Sequence, residues 1–213
     1  MLEETVHSIG QMLMSMDGYL ADQVRMQLGL ERIVAYFRAA ERQQSRVDQW
    51  LYDPETIRTQ RTRFPLDQGA ALCEAHFLFI CWDSVHKAME NLRQTCYGLK
   101  TPREVLKKYR LTLEKNSRAR DHLEHLTERL PGQPRTDWRG DSNSITGTVA
   151  GIRRDGAFVF QGEEWDITKA SIHLLRSIVS EFVDGVYAEV TGRHEAYLKG
   201  ESAMWAEQNR SST

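Results

Sequence analysis

The chain has 213 residues, of which 40% are hydrophobic and 27% charged, and its formal net charge is −2 at pH 7. These values are ordinary for a globular domain, and they exclude a strongly basic chain that binds nucleic acid over its whole surface. No segment approaches the ~18 apolar residues that a membrane span needs, and the N-terminus lacks the basic and apolar segments of a signal peptide. We therefore expect a cytoplasmic protein without membrane contact, folded as a single domain over residues 1–213.

The first half of the chain is predicted to be helical. Residues 2–50 show helical periodicity with a break at Asp17-Gly18, and residues 67–96 predict a second long helix. The run from Phe77 to Trp82 is apolar all round, which indicates the buried centre of a bundle. Three arginines one turn apart favour a solvated or partner-facing surface, with nucleic-acid contact as the alternative: Arg38, Arg42 and Arg46.

Cysteine and metal-type patterns point away from a metal site. The three cysteines have no paired C-x-x-C spacing and fall in one predicted helix, so reduced, mostly buried thiols are expected: Cys73, Cys81 and Cys96. Glu4-x-x-His7 resembles half of a di-iron motif but has no second copy in the chain. Cys73-x-x-His76 lies in an apolar helix, where such a pair is usually core. The sequence predicts no metal and no other cofactor.

Residues Thr101 to Leu130 predict one long helix. Thr101 can cap its first turn, Pro102 suits the first helical position, and Pro131-Gly132 predicts the end. At ~100° per residue, one side of this helix is apolar and is expected to face the core: Val105, Tyr109, Leu113, Ala119, Leu123, Leu126 and Leu130.

The opposite side of the same helix carries a polar cluster. Its members are spaced i, i+4, i+7 and i+11 and therefore share one face: Arg118, His122, His125 and Arg129. Arg120 and Glu124 fall at the edge of the apolar side. Histidine can exchange a proton near neutral pH, and arginine binds phosphate. A solvated polar face is the alternative interpretation.

A β-hairpin is predicted before the last main helix. Asp155-Gly156 lies between β-branched and aromatic residues, which indicates a hairpin within an insert over about residues 144–167, with a short third strand at Glu164–Ile167. Thr168 is expected to cap the last main helix, and residues 192–213 to form a flexible tail or a partner-docking extension. The predicted fold class is all-α, a bundle of about four main helices with a small β-hairpin inserted before the last.

The run Arg120-Asp121-x-x-x-His125 resembles the motif of the HEPN superfamily, the higher-eukaryote and prokaryote nucleotide-binding helical domains. In that motif an arginine and a polar residue are followed by a histidine after a short spacer. Arg118 fits the longer spacing that the family allows, so the sequence leaves the motif arginine open, and Asp121 favours Arg120. The resemblance covers about Ala70 to Tyr187 at the level of helix order.

The resemblance implies an RNA-binding protein or a metal-independent endoribonuclease of a toxin–antitoxin or phage-defence system. The implied partners are RNA, a second copy of the chain in a homodimer, and an antitoxin or other protein. The alternative is a non-catalytic helical interaction or regulatory subunit that binds a protein or nucleotide partner. A metal-dependent enzyme using His122 and His125 lacks further ligands in the sequence.

The resemblance also implies roles for individual residues. The ribose 2′-OH would attack the adjacent phosphate, with His125 as general base or acid and Arg120 or Arg118 stabilising the developing charge. Asp121 and Glu124 would orient these groups. The candidate catalytic residues are Arg118, Arg120, Asp121, His122, Glu124 and His125. The helix is rich in lysine before this cluster, and the candidate RNA-binding residues are Lys107, Lys108, Lys115 and Arg129.

Overall fold

A computed structural model of the protein describes residues 1–16, 20–52, 68–95, 99–124, 151–153, 155–160 and 162–210. This described part is mostly helical, and a three-stranded antiparallel sheet precedes the last helix in sequence. The helices are α1 (Leu2–Ser15), α2 (Leu20–Tyr52), α3 (Gln68–Thr95), α4 (Thr101–Glu124) and α5 (Lys169–Arg210). The strands are β1 (Gly151–Ile152), β2 (Ala157–Phe160) and β3 (Glu163–Asp166). The predicted fold class is confirmed. Helices α1 and α2 are separate, in agreement with the break predicted at Asp17-Gly18, so the described residues form five helices.

The chain groups into two compact units. Unit 1 comprises Met1–Ala35, Lys87–Tyr109 and Ser177–Thr213, and unit 2 comprises Tyr36–His86 and Arg110–Arg176. Helices α2, α3, α4 and α5 each contribute residues to both units. The assignment of residues 1–213 to a single domain therefore stays a prediction.

In unit 1, the core is built from apolar positions that recur at helical spacing. Its fully buried members include Ile9, Leu30, Ile33, Met89, Ile178, Phe182 and Val186. The N-terminus of α4 is bound by a carboxylate from α5. Glu189 accepts hydrogen bonds from the backbone N–H groups of Lys100, at 2.9 Å, and Thr101, at 2.6 Å. These N–H groups have no partner within the helix, and a negative charge is favourable at this end of the helix dipole.

The start of α4 therefore differs from the prediction that Thr101 is the cap. The carbonyl of Lys100 accepts the first helical hydrogen bonds, from the N–H groups of Arg103 and Glu104, so Lys100 is the N-cap. Helix α5 continues through Gly192 to Arg210. Whether residues 192–213 serve as a flexible tail or as a partner-docking extension stays a prediction.

In unit 2, the sheet packs its inward-facing rings into the helical core. Strand β2 pairs with both β1 and β3, and Phe158, Phe160 and Trp165 are at most 1% exposed. The Phe158 ring lies 5.8 Å from that of Phe79 on α3. The indole N–H of Trp165 donates a 2.8 Å hydrogen bond to the carbonyl of Lys115 on α4. The predicted hairpin and third strand are thus confirmed by the strands Gly151–Ile152, Ala157–Phe160 and Glu163–Asp166; residues 144–150, 154 and 161 lie outside the described residues.

Gly156 lies at the turn of the hairpin, where its backbone N–H donates a 3.0 Å hydrogen bond to the carbonyl of Arg153. Gly156 adopts a φ of 81°, a left-handed conformation that glycine adopts without strain. Asp155 accepts a hydrogen bond from the backbone N–H of Ala157 at 3.1 Å. At the same end of the sheet, where Ala157 pairs with Asp166, Thr168 caps α5 as predicted, since its hydroxyl accepts the N–H of Ala170 at 3.2 Å.

Two side chains of α3 are exposed where burial was expected. Phe77 is 54% exposed, whereas Phe79 and Trp82 are buried. Cys73 is an exposed free thiol and Cys81 is partly exposed; Cys96 lies outside the described residues. Phe77 and Cys73 are four residues apart and share one side of α3. The core of unit 2 therefore covers only part of this apolar helix.

Candidate functional site

Polar side chains face each other between α3 and α4 in unit 2. His86 Nδ1 lies 3.2 Å from the hydroxyl oxygen of Ser117, and Asp83 pairs with Arg120. As the residue number falls along α3 it rises along α4, so the two helices are antiparallel here. Asp83 lies one turn before His86 on α3, and Arg120 lies one turn after Ser117 on α4. The two helices therefore present a polar row between their apolar faces.

Arg120 is held by carboxylates from both helices. Its Nη1 lies 2.5 Å from Oδ2 of Asp83, and its Nη2 lies 2.5 Å from Oδ1 of Asp121. Glu124 Oε2 lies 3.4 Å from Nε of Arg120, without the geometry of a hydrogen bond. The side chain of Asp83 is 6% exposed and that of Arg120 is 21% exposed, while Asp121 is half exposed. The guanidinium is therefore fixed mainly by a buried carboxylate on the neighbouring helix.

The electrostatics of this group follow from its neighbours. Burial lowers the pKa of Arg120, but the hydrogen bond to Asp121 and the charges of Asp83, Asp121 and Glu124 outweigh it, so the pKa is raised above its ordinary value. The arginine stays charged at any physiological pH. We name Asp83, Arg120, Asp121 and Glu124 the Arg120 cluster. With three carboxylates and one guanidinium, its formal charge is −2.

His76 is the titratable group beside this cluster on α3. It lies seven residues before Asp83, two turns away on the same side of the helix. Burial lowers the pKa of His76 below its ordinary value, Glu124 opposes this effect, and Arg120 adds to it. Its Nε2 atom is buried and has no hydrogen-bond partner within the part of the chain that the structure describes. The imidazole is therefore mostly neutral at pH 7.

His122 has a different environment from the one predicted. The helical spacing predicts His122 on the polar face of α4, but the residue is only 4% exposed. Its ring centroid lies 4.9 Å from that of Phe160 and 5.6 Å from that of Trp165. The sheet covers this side of α4, so His122 belongs to the core although its helical position predicts a polar surface. His122 cannot meet a macromolecular substrate in this arrangement.

The other predicted site residues do not all come together. Arg118 is exposed on α4, with its Nε 3.8 Å from Oε2 of Glu163. Lys115 is an exposed residue of unit 2, and Lys107 is an exposed residue of unit 1. Lys108, also in unit 1, pairs with Glu181 at 2.8 Å. His125 and Arg129 lie outside the described residues.

Sequence reasoning missed two members of this region, Asp83 and His76. A signal for Asp83 was present, because it directly follows the apolar run Phe77 to Trp82, and a carboxylate that is buried among apolar residues needs a cation. His76 had a weaker signal. Its separation of seven residues from Asp83 places His76 on the same side of α3. Only the packing of α4 against α3 brings it within range of the charges of Glu124 and Arg120.

Comparison with protein-family models, with curated proteins and with solved structures gives no match. Among the described residues, no group of three or more His, Cys, Asp or Glu side chains is arranged to hold a metal ion. In the same part of the chain, no helix combines the length and the apolar character that crossing a membrane requires.

Proposed function

We propose that the protein is a HEPN-like RNA-binding domain that cleaves RNA without a metal ion, acting as a homodimer. The observation that carries the proposal is the fixed guanidinium of Arg120. Arg120 and Asp121 occupy the first two positions of the motif, and Asp83 anchors the same guanidinium from α3 at 2.5 Å. An arginine held in one orientation loses little entropy when it binds a phosphate, which favours transition-state stabilisation.

The motif arginine in this proposal is Arg120 and not Arg118. A guanidinium has five N–H donors, and the pairs with Asp83 and Asp121 use one on each Nη atom. One N–H on each Nη therefore remains to donate to phosphate oxygens, the ligands for which arginine is suited. Arg118 is exposed, and within the described part of the chain its one ion pair is the 3.8 Å contact with Glu163, so its guanidinium is less firmly oriented.

In the proposed reaction the 2′-oxygen of the ribose attacks the adjacent phosphorus and the 5′-oxygen of the next nucleotide leaves. A base removes the 2′-OH proton and an acid protonates the leaving oxygen. His125, from the motif, is assigned the proton transfer, and Arg120 the charge on the phosphorane oxygens. Toxin–antitoxin or phage-defence biology, with an antitoxin or other protein partner, belongs to the same proposal.

The test is cleavage of RNA by the purified protein in excess EDTA. We expect wild-type cleavage that leaves cyclic-phosphate ends, and a loss of about 100-fold or more in Arg120→Ala and His125→Ala. Arg118→Ala is the matched control on the same helix and should retain most of the activity. Circular dichroism of each variant separates loss of chemistry from loss of fold. Equal cleavage by wild type and Arg120→Ala would contradict the proposal.

A second function is favoured by one specific observation, the formal charge of −2 on the Arg120 cluster. Three carboxylates around one guanidinium compete with phosphate and weaken anion binding. On this alternative the protein is a non-catalytic interaction or regulatory subunit that binds a protein or nucleotide partner, and the cluster joins α3 to α4. Absence of cleavage with intact folding, together with capture of a defined partner protein in a stable complex, would favour it.

A further inference from the structure

Unit 2 has an exposed apolar surface on α3 beside the Arg120 cluster. Cys73 and Phe77 are exposed, and Ile80 and Ser84 are partly exposed. Their spacing of i, i+4, i+7 and i+11 places them along one side of the helix. Phe77 keeps 54% of its surface exposed although its neighbours Leu78 and Phe79 are fully buried. We name Cys73, Phe77, Ile80 and Ser84 the α3 strip.

One edge of the α3 strip meets the Arg120 cluster. The ring of Phe77 stacks on that of His76, with centroids 6.2 Å apart and planes inclined by 21°. His76 is in turn close enough to Glu124 and Arg120 for their charges to act on its pKa. His76 thus lies between the exposed ring of Phe77, which it contacts, and the Arg120 cluster, whose charges act on its pKa.

The other edge of the strip meets a row of positive charge on α2. Gln43 on α2 donates a hydrogen bond to the backbone carbonyl of Glu74 on α3 at 3.1 Å, so the two helices are adjacent in unit 2. The charge of Arg42 opposes the effect of burial on the pKa of Cys81, which places Arg42 on this side of α3. Arg42 and Arg46 are exposed and one turn apart. Among the described residues, neither makes an ion pair.

We propose that the α3 strip, with Arg42 and Arg46, binds single-stranded RNA and directs it to Arg120. A base stacks on Phe77, and the two guanidiniums contact backbone phosphates. The proposal rests on the proposed function and adds where the strand lies and which form of RNA is bound. Stacking on a protein ring needs an unpaired base, so the surface selects single strands over duplexes. An apolar protein partner is disfavoured, because it would bury Arg42 and Arg46 without counter-charges.

The test measures binding of a fluorescent single-stranded 2′-O-methyl oligoribonucleotide, which lacks the nucleophile and cannot be cleaved. We expect Phe77→Ala to weaken binding about 5- to 100-fold. The double variant Arg42→Gln/Arg46→Gln should lower the slope of log affinity against log salt by about 1.4, because each phosphate contact on a single strand contributes ~0.7. Leu111→Ala is the matched control, since Leu111 is 73% exposed on α4 and lies outside the strip. The same sequence as a duplex should bind more weakly.

Cys73 supplies a second readout that does not depend on a substitution. Its thiol is exposed within the strip, so bound oligonucleotide should slow its alkylation by iodoacetamide, followed by peptide mass spectrometry. An unchanged alkylation rate at saturating oligonucleotide would overturn the position of the strand.

The failure of this inference can be told from the failure of the proposed function. Suppose that Arg120→Ala abolishes cleavage while Phe77→Ala and the arginine double variant bind RNA as the wild type does. RNA binding by the α3 strip is then wrong, and the proposed nuclease activity is retained. If the wild type binds no single-stranded oligonucleotide and cleaves no RNA, both are overturned.

Discussion

Asp83 on α3 and Arg120 on α4 form an ion pair of 2.5 Å in which the carboxylate is almost completely buried. A buried ion pair is weak evidence for stability, since burying both charges costs nearly as much as their attraction contributes. Its measurable effect appears when one partner is removed. The pair therefore separates a structural role of the cluster from a role in function.

We predict that Asp83→Asn lowers the free energy of unfolding by about 2–3 kcal/mol, because it leaves Arg120 without its buried counter-charge. Asp121→Asn is the matched control. The side chain of Asp121 is 51% exposed, and its loss should cost less than ~1 kcal/mol. Urea denaturation followed by circular dichroism measures both. Similar losses in the two variants would contradict the assignment of Asp83 as the main anchor of Arg120.

His122 is predicted to be structural and not catalytic. His122→Ala removes a ring packed against Phe160 and Trp165, and the cavity should lower the free energy of unfolding by about 2–4 kcal/mol. His122→Phe keeps most of the volume and should lose less. Both variants, assayed at a temperature where they remain folded, should bind RNA as the wild type does. If His122→Phe is folded but specifically loses RNA cleavage, His122 has a catalytic role and this prediction is wrong.

Glu189 should make stability dependent on pH. Burial raises its pKa, but hydrogen bonds from Thr101 and Lys100 and the charge of Arg193 outweigh this effect, so its pKa lies below its ordinary value. A carboxylate with a lower pKa in the folded state stabilises the fold above the unfolded pKa of ~4.3. That contribution disappears as the pH falls through the folded pKa.

Glu189→Gln should therefore be less stable than the wild type at pH 7, by about 1–2 kcal/mol. The difference should shrink below about pH 4. Glu195→Gln, at an exposed position of the same helix, is the control. Urea denaturation at a series of pH values gives the comparison. A difference between Glu189→Gln and the wild type that is constant from pH 7 to pH 3 would exclude this linkage.

Two glycines of α5 should respond in opposite directions to the same substitution. A Cβ added at Gly185 would lie 3.0 Å from the Cβ of Thr101 and closer still to its methyl group, whereas Gly192 has open space. Gly185→Ala should destabilise the protein by about 1–2 kcal/mol through overpacking. Gly192→Ala should stabilise it by up to ~1 kcal/mol, because alanine favours the helix. Thermal unfolding of both variants and the wild type measures these changes: the Tm of Gly185→Ala should fall and that of Gly192→Ala should rise.

Spacing within one helix predicts which side chains share a face, whereas burial also depends on elements that are distant in sequence. Periodicity correctly predicted the core side of α4, because Val105, Leu113 and Ala119 are buried. It placed His122 on the wrong side, since the width of the buried sector depends on what packs against the helix. Here the sheet covers His122, and residues 151–166 are far from α4 in sequence. A helical period gives the direction of each side chain but not the number of its neighbours.

The same limit applies to the candidate site. The resemblance names Arg120 and Asp121 as candidates from a local spacing, and their role stays a prediction. The edge position predicted for Arg120 agrees with its 21% exposed side chain. Asp83 and His76 come from another helix and could be assigned only once α3 and α4 were seen side by side. The exposure of Phe77 could not be predicted either, since a helix that is apolar all round does not indicate which side the bundle leaves uncovered.

The small sheet has a consequence for how unit 2 folds. Three of its rings belong to the core, and the indole of Trp165 is bonded to the backbone of α4. A two- or three-stranded ribbon of this length is not stable by itself in water, and without it Phe79 and His122 would lose the rings they pack against. The strands and the facing part of α3 and α4 should therefore gain and lose amide protection from hydrogen exchange together, as one cooperative folding unit.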